Sequence, residues 1–132
     1  MLKKAAPAEN KMNTLPKSER LHSFGAIRRL FTEGHAGFIY PFRYMFFVEK
    51  SEQNSVAVLF STPKKFHKRA NKRNSLRRGM KEAYRLNKEI LTKHLENHRV
   101  EVAIIYSSKT FHDNKSIENG VKKVLQAIAE SL

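Results

Sequence analysis

Between Lys64 and Lys88 the chain carries eleven basic residues and one acidic residue, Glu82. Most of this block, "RANKRNSLRRGMKEAYRLNK", has helical periodicity. Like charges three or four residues apart repel on a helix surface, so a helix loaded this way is held by packing of its other face rather than by its own propensity. With Arg73 set at zero and about 100° per residue, Arg77, Lys88, Lys81, Asn74, Arg85 and Arg78 fall in an arc from about 40° to about 140°. Leu76, Met80 and Ala83 fall between about 280° and about 340°, with Ile90 near 260° and Leu86 near 220°. The rest of the chain must therefore supply an apolar surface for one face. A polyanion from outside is the natural complement of the other.

The flanking sequence supplies that surface. Ser23 is placed to cap a short helix from Phe24 to Glu33, closed by Gly34, with Phe24, Ile27, Leu30 and Phe31 on one stripe. "FRYMFFVEK" reads as an aromatic strand, with Phe42, Tyr44 and Phe46 on one face and Arg43, Met45 and Phe47 on the other. After the polar turn "SEQN" comes "SVAVLFST", apolar on both faces in the manner of a central strand. Pro63 ends it. The long helix is expected from about residue 71 to 95, with Asn97 as its stop. "VEVAIIYS" is a further strand, and Ser116 is the expected cap of a last helix whose stripe is Ile117, Val121, Val124, Leu125, Ile128 and Leu132. A fourth strand is expected in "EGHAGFIY" or around "TFHDN". The expectation is one α+β domain over residues 15–132 with helices packed on a sheet, in the order α-β-β-(β)-α-β-α, preceded by a flexible tail at residues 1–14.

The formal net charge is +14. The 64–88 block contributes +10 of this, leaving +4 for the rest, so the charge is a patch and not a general property of the surface. Such a patch attracts nucleic acid first. A membrane-lying helix would need its apolar face free, and here the core needs that face. No run approaches the ~18 apolar residues of a span, and no secretory signal follows "MLKKAAPAEN". The expectation is a soluble cytoplasmic protein. The chain has no Cys, hence no disulfide, thiolate zinc site or Cys nucleophile. It has twelve acidic residues, of which one is Asp, and no visible carboxylate cluster for a two-metal nuclease. His94 and His98 have metal-ligand spacing, yet "HLENH" is not a zinc-protease motif, and two histidines near a helix C-terminus need no metal to explain them. No catalytic side chain and no metal site is assigned.

The run "STPKKFHKRANKRNSLRRGMKEAYRLNK" resembles the signature region of the bacterial ribonuclease P protein family. The matching positions are Lys64 and Lys65 in the turn, the Arg73–Asn74 pair, Arg77 and Arg78, Lys81, Glu82 and Arg85. "LPKSERLHSFGAIRRLFTEG" is similar to the family's lead-in and first helix. Ser75 and Lys81 stand where the family commonly has Arg, and Gly79 is placed mid-helix at a cost of about 1 kcal/mol relative to Ala. The resemblance implies a ribosomal-protein-like α/β sandwich with a left-handed β-α-β crossover. It implies the protein subunit of an endonuclease that removes the 5′ leader of precursor tRNA, with the chemistry carried by a catalytic RNA subunit and Mg²⁺ bound mainly by RNA. The partners would be ribonuclease P RNA and precursor tRNA, with no membrane and no protein partner required. The RNA-binding set is then Lys64, Lys65, Lys68, Arg69, Arg73, Asn74, Arg77, Arg78, Lys81 and Arg85. Ile27, Phe31 and Tyr44 are candidates for a leader cleft, Tyr44 because its hydroxyl prefers a wet edge and its ring can stack on a base. The alternative is a structural ribosomal-type RNA-binding protein with no part in cleavage.

Overall fold

The computed structural model describes residues 19–21 and 23–132; the expected tail at residues 1–14 lies outside them. The elements are α1 (Phe24–Glu33), β1 (His35–Ile39), β2 (Phe42–Lys50), β3 (Ser55–Ser61), α2 (Ala70–Asn87), α3 (Glu89–Thr92), β4 (His98–Tyr106) and α4 (Asn114–Glu130). The strands form one sheet in the order β1-β2-β4-β3. β1–β2 and β2–β4 are antiparallel, and β3–β4 is parallel. Because parallel neighbours need a long connection, the whole basic block is the crossover between β3 and β4. The extra strand expected in "EGHAGFIY" is β1.

Helices cover both faces. On one, Phe42, Phe46, Val56, Val58, Phe60, Val100, Val102, Ile104 and Tyr106 meet Leu76, Met80, Ala83 and Tyr84 of α2, Leu91 of α3 and the α4 stripe Ile117, Val121, Val124, Leu125 and Ile128. On the other, Leu30 of α1 packs with Leu21, Ala57 and Ala103, flanked by Ile27, Met45, Phe47 and Leu59. Leu30 is the only fully buried side chain of α1 among the described residues, and its burial contributes about 2 kcal/mol to docking that helix.

Several local expectations change. β3 is an edge strand, not a central one. It is apolar on both faces because α2 covers one and the α1 layer the other, while its outer edge pairs with the segment at Arg20, where the Leu21 N–H donates to the Val58 carbonyl at 2.9 Å. β4 takes the centre, with Val100, Val102, Ala103, Ile104 and Tyr106 all inaccessible. The long helix breaks at Lys88, and the α3 turn redirects the chain so that Leu91 and Leu95 reach the core. The chain then leaves through Glu96 and Asn97 at positive φ, a conformation Asn tolerates better than most residues. Asp113, not Ser116, caps α4: its carboxylate accepts the Ser116 N–H at 2.8 Å. That bond holds the Asp113 carboxyl below its ordinary pKa. Leu132 ends partly exposed instead of completing the stripe. Gly79 lies where α2 crosses α4, and a Cβ there would stand 3.1 Å from Asn114 Oδ1, which gives the mid-helix glycine a packing reason.

Candidate nucleic-acid interface

The parallel crossover brings the start of α2 to the same end of the sheet as the β4–α4 loop and the β1–β2 corner. Thr62, 7% exposed, closes β3 beneath the first turns of α2. Lys64, Lys65, Lys68 and Arg69 are exposed in the turn and helix lead-in, and the Lys65 ammonium lies over the Phe66 ring at 5.2 Å.

Two arginines of α2 are built into the protein. Arg73 Nη1 donates to the carbonyls of His67 (3.1 Å) and Lys68 (2.7 Å), fixing the lead-in against the helix. Arg77 Nη1 donates to Thr62 Oγ1 at 2.8 Å, and its Nη2 donates to Asn74 Oδ1 at 2.6 Å. Both are half-buried. The helical wheel explains why. Tyr84, 1% exposed, falls at about 20°, between Arg73 and Arg77, so the buried arc runs to their edge while Leu86 on the far side is 57% exposed. Arg73 and Arg77 are therefore shoulder residues with fixed guanidinium orientation, whereas Arg78 and Asn74 point outward. Lys81 is half-buried, and desolvation, together with the nearby Arg20 and Arg77 charges, lowers its pKa.

Further along α2 the charge is answered internally. Arg85 makes a two-point contact with Glu82, Nη2 to Oε2 at 2.6 Å and Nε to Oε1 at 3.2 Å, which raises the Arg85 pKa. Lys88 pairs with Glu19 at 3.1 Å. Among the described residues no carboxylate pairs with Lys64, Lys65, Lys68, Arg69, Lys72, Arg73, Arg77, Arg78 or Lys81. The unanswered charge is thus gathered in the turn and the first three turns of α2.

The other candidates divide between the two sheet faces. Ile27 is half-buried on α1 in one cluster with Met45, Phe47 and Leu59 of the sheet, and Phe31, one turn on, is 45% exposed. Tyr44 is on the opposite face: its ring stacks on Phe46 (centroids 6.4 Å) and lies across Gly37, where a Cβ would collide with it. It borders a hollow of about 520 Å³ with His35, Phe46, His98 and the end of α4. The fold therefore does not bring Tyr44 together with Ile27 and Phe31. The residues of β2 that accompany α1 are Met45 and Phe47, with exposed Arg43 beside them. The alternation on β2 already separated these sets; what the sequence lacked was the face on which α1 docks.

Glu101 also escaped the sequence. It is 1% exposed in the middle of β4, beside Phe47 of β2. Its Oε2 accepts Arg29 Nη2 at 3.0 Å and Arg99 Nε at 3.3 Å, and the Arg29 guanidinium lies over the Phe47 ring at 4.6 Å. The Glu101 bond raises the Arg29 pKa. The group ties α1 to the centre of the sheet. His98 Nδ1 is bonded to the Leu95 carbonyl oxygen at 2.8 Å, and His94 is exposed.

The sequence matches the family model for Ribonuclease P over residues 15–129. The ribonuclease P protein component of Porphyromonas gingivalis is 35% identical over 118 residues, 87% of this chain and 86% of the relative. That of Chlorobaculum tepidum is 37% identical over 114 residues, 77% of this chain and 73% of the relative. Among solved structures, the RNase P protein of Thermotoga maritima superposes with a TM-score of 0.67 at 21% identity, covering 83% of this chain and 96% of that one. The Staphylococcus aureus RNase P protein gives 0.63 at 18%, covering 85% and 96%. At those identities the structures speak for the fold.

Proposed function

The chain belongs to the bacterial ribonuclease P protein family, and from that premise we propose that it docks on the catalytic RNA through the unpaired cations of the 64–81 segment. The protein is a subunit of ribonuclease P. The observation that carries the docking surface is the contrast along α2: carboxylates answer Arg85 and Lys88 but none of the nine cations from Lys64 to Lys81 among the described residues. A polyphosphate along this segment relieves the repulsion and releases condensed counterions. Arg73 and Arg77 arrive with guanidinium planes already oriented, so little freedom is lost when they grip phosphate. Asn74 and Arg78 make the outward contacts.

The leader of precursor tRNA is assigned to the α1 side of the sheet, where Ile27, Phe31, Met45 and Phe47 form a partly open apolar floor beside Arg43. Tyr44 lies on the other side and has no part in that floor. The reaction is hydrolysis of the leader–tRNA phosphodiester, with bond breaking carried by the RNA. Among the described residues no three His, Asp or Glu side chains converge to hold a metal ion. Mg²⁺ is assigned to the RNA, whose phosphates supply the hard oxygen ligands it prefers. This chain's residues bind, orient and neutralise.

The test is reconstitution with a bacterial ribonuclease P RNA and precursor tRNA at low Mg²⁺. Stimulated leader release is expected; no stimulation rejects the reading. Arg73→Ala and Arg77→Ala weaken binding to the RNA, and each lost phosphate contact flattens the slope of log K against log salt by roughly 0.7–0.9. Unchanged affinity and slope would mean that another surface docks.

A further inference from the structure

An aromatic cluster at the same end of the sheet is used by neither surface described above. Tyr40, at the β1–β2 corner, is 57% exposed, and Phe111, in the β4–α4 loop, is 47% exposed. His112 joins them, with its ring 5.4 Å from that of Tyr40. The Lys72 ammonium, on the first turn of α2, lies 5.5 Å from the centre of the Phe111 ring. Phe38, 55% exposed, borders Tyr40 at 6.4 Å, although its side chain belongs to the α1 face with Arg43.

The rings are held from beneath. The Tyr40 hydroxyl is hydrogen-bonded to Ser108 Oγ at 2.8 Å. The Tyr106 hydroxyl donates to the Thr110 carbonyl at 2.6 Å and accepts the His112 N–H at 3.1 Å. His67, 8% exposed, bonds the Ser108 carbonyl through Nε2 at 2.9 Å, and its ring lies 6.2 Å from Phe111. The loop from Ser107 to His112 is therefore pinned at several points while its aromatic faces stay in solvent. Lys72, Lys109 and Lys115 flank it. The nearby carboxylate, Asp113, is engaged in capping α4.

Scattered exposed apolar residues need no explanation, but pinned, adjoining rings set among cations match what unpaired nucleotides bind: π-faces for bases and positive charge for the backbone. We propose that Tyr40, His112 and Phe111, with Lys72, form a stacking platform for unpaired nucleotides of the catalytic RNA. The platform continues the cationic segment of α2 through Lys72, so it deepens the docking proposed above and rests on it.

The experiment measures affinity of the full chain for ribonuclease P RNA alone, without precursor tRNA, across a salt series. Phe111→Ala and Tyr40→Ala are each expected to weaken binding by about 5- to 150-fold, the range for one base stack. Phe111→Tyr keeps the affinity, and the salt slope stays that of the unsubstituted protein because no phosphate contact is lost. Far-ultraviolet circular dichroism of each variant matches the parent, since both rings are largely in solvent. Arg78→Ala in the same series flattens the slope. Aromatic variants that bind as tightly as the parent while Arg78→Ala changes the slope would overturn the platform and leave the docking face standing. If neither class has an effect, both fall. A loss seen only when precursor tRNA is present would hand the rings to the substrate, and adsorption to anionic vesicles with unchanged RNA affinity would hand them to lipid; either overturns the proposal.

Discussion

Replacing Glu101 with Ala tests how α1 is held to the sheet. The wild-type carboxylate is 1% exposed and accepts charge-assisted bonds from Arg29 and Arg99 through one oxygen, while Oε1 and Arg29 Nε are buried without partners. Two such bonds are worth about 1.5–3 kcal/mol each, and removing one member of a buried ion group typically costs about 3–5 kcal/mol. The Arg29 and Arg99 side chains are 36% and 34% exposed and keep Glu49 nearby at 3.8 and 4.0 Å. Water and Glu49 therefore recover part of the loss, which places Glu101→Ala at about 2–3 kcal/mol. Glu101→Gln keeps the shape and one acceptor, and costs about 1 kcal/mol. Urea unfolding reads both: with m of about 1.5–2 kcal/mol/M, Ala lowers the midpoint by about 1–2 M and Gln by roughly half a unit. Because the group anchors α1, leader affinity should fall more than affinity for the RNA subunit. An Ala variant within 0.5 kcal/mol of wild type, on the order of a neutral surface change, would refute the claim that Glu101 is a clamp.

Four further outcomes are expected. Gly120→Ala places a Cβ 2.6 Å from Phe42 Cε2, so overpacking of α4 on β2 should cost about 1–3 kcal/mol in denaturant unfolding. Arg85→Ala, which removes a cation already answered by Glu82, should change the salt slope of RNA binding less than Arg78→Ala does. Lys81 has a lowered pKa in the free protein, and phosphate nearby favours its charged form. RNA binding should therefore take up a proton at alkaline pH, between the free and bound pKa values, with affinity falling as pH rises through the free one; calorimetry in two buffers of different ionisation enthalpy detects the uptake, and Lys81→Arg abolishes it. Asp113 has a depressed pKa in the fold, so its contribution is present above the unfolded carboxyl pKa and is lost as pH falls through the folded one. Asp113→Asn should keep the cap and remove that pH dependence, whereas Ala loses both, as thermal melts across acid pH would show.

What was legible in the sequence is what local patterning dictates. Ser23 and Gly34 bracket α1 as their capping chemistry requires, and the alternation of β2 sorted Phe42, Tyr44 and Phe46 from Met45 and Phe47 correctly. The failures share a cause: each needed to know what lies across a gap in the chain. β3 looks central by its apolar run, yet it is an edge strand whose outer side is met, among the described residues, by the pairing at Arg20. The helical wheel leaves Tyr84 unassigned, and its T-shaped contact with Phe60 (6.0 Å) carries it into the core. Tyr44 is a leader candidate for its hydroxyl and its ring, and neither property says which sheet face holds α1, so its separation from Ile27 and Phe31 could not be read from β2 alone. Glu101 interrupts an apolar run and reads as a solvated residue; only the crossing of Arg29 from α1 and Arg99 two positions back along β4 makes it a buried anchor.

The burial of Tyr84 alters the meaning of the basic helix. Had the cations formed one uniform outer face, any polyanion of suitable length would neutralise them equally along α2. Instead, the buried arc reaches Arg73 and Arg77 and turns them into shoulder groups fixed by the His67 and Lys68 carbonyls, Thr62 and Asn74, while Glu82 and Glu19 quench the last turns. The field of the helix is therefore asymmetric. It is strongest where α2 leaves the Thr62 turn, beside the pinned β4–α4 loop, and it decays toward Lys88. Coulomb attraction alone carries no orientation, but a charged shoulder of fixed geometry next to a quenched end does: a duplex backbone laid along α2 has one favoured direction and one favoured end. That asymmetry is the feature by which the docking proposed above would set the register of the RNA.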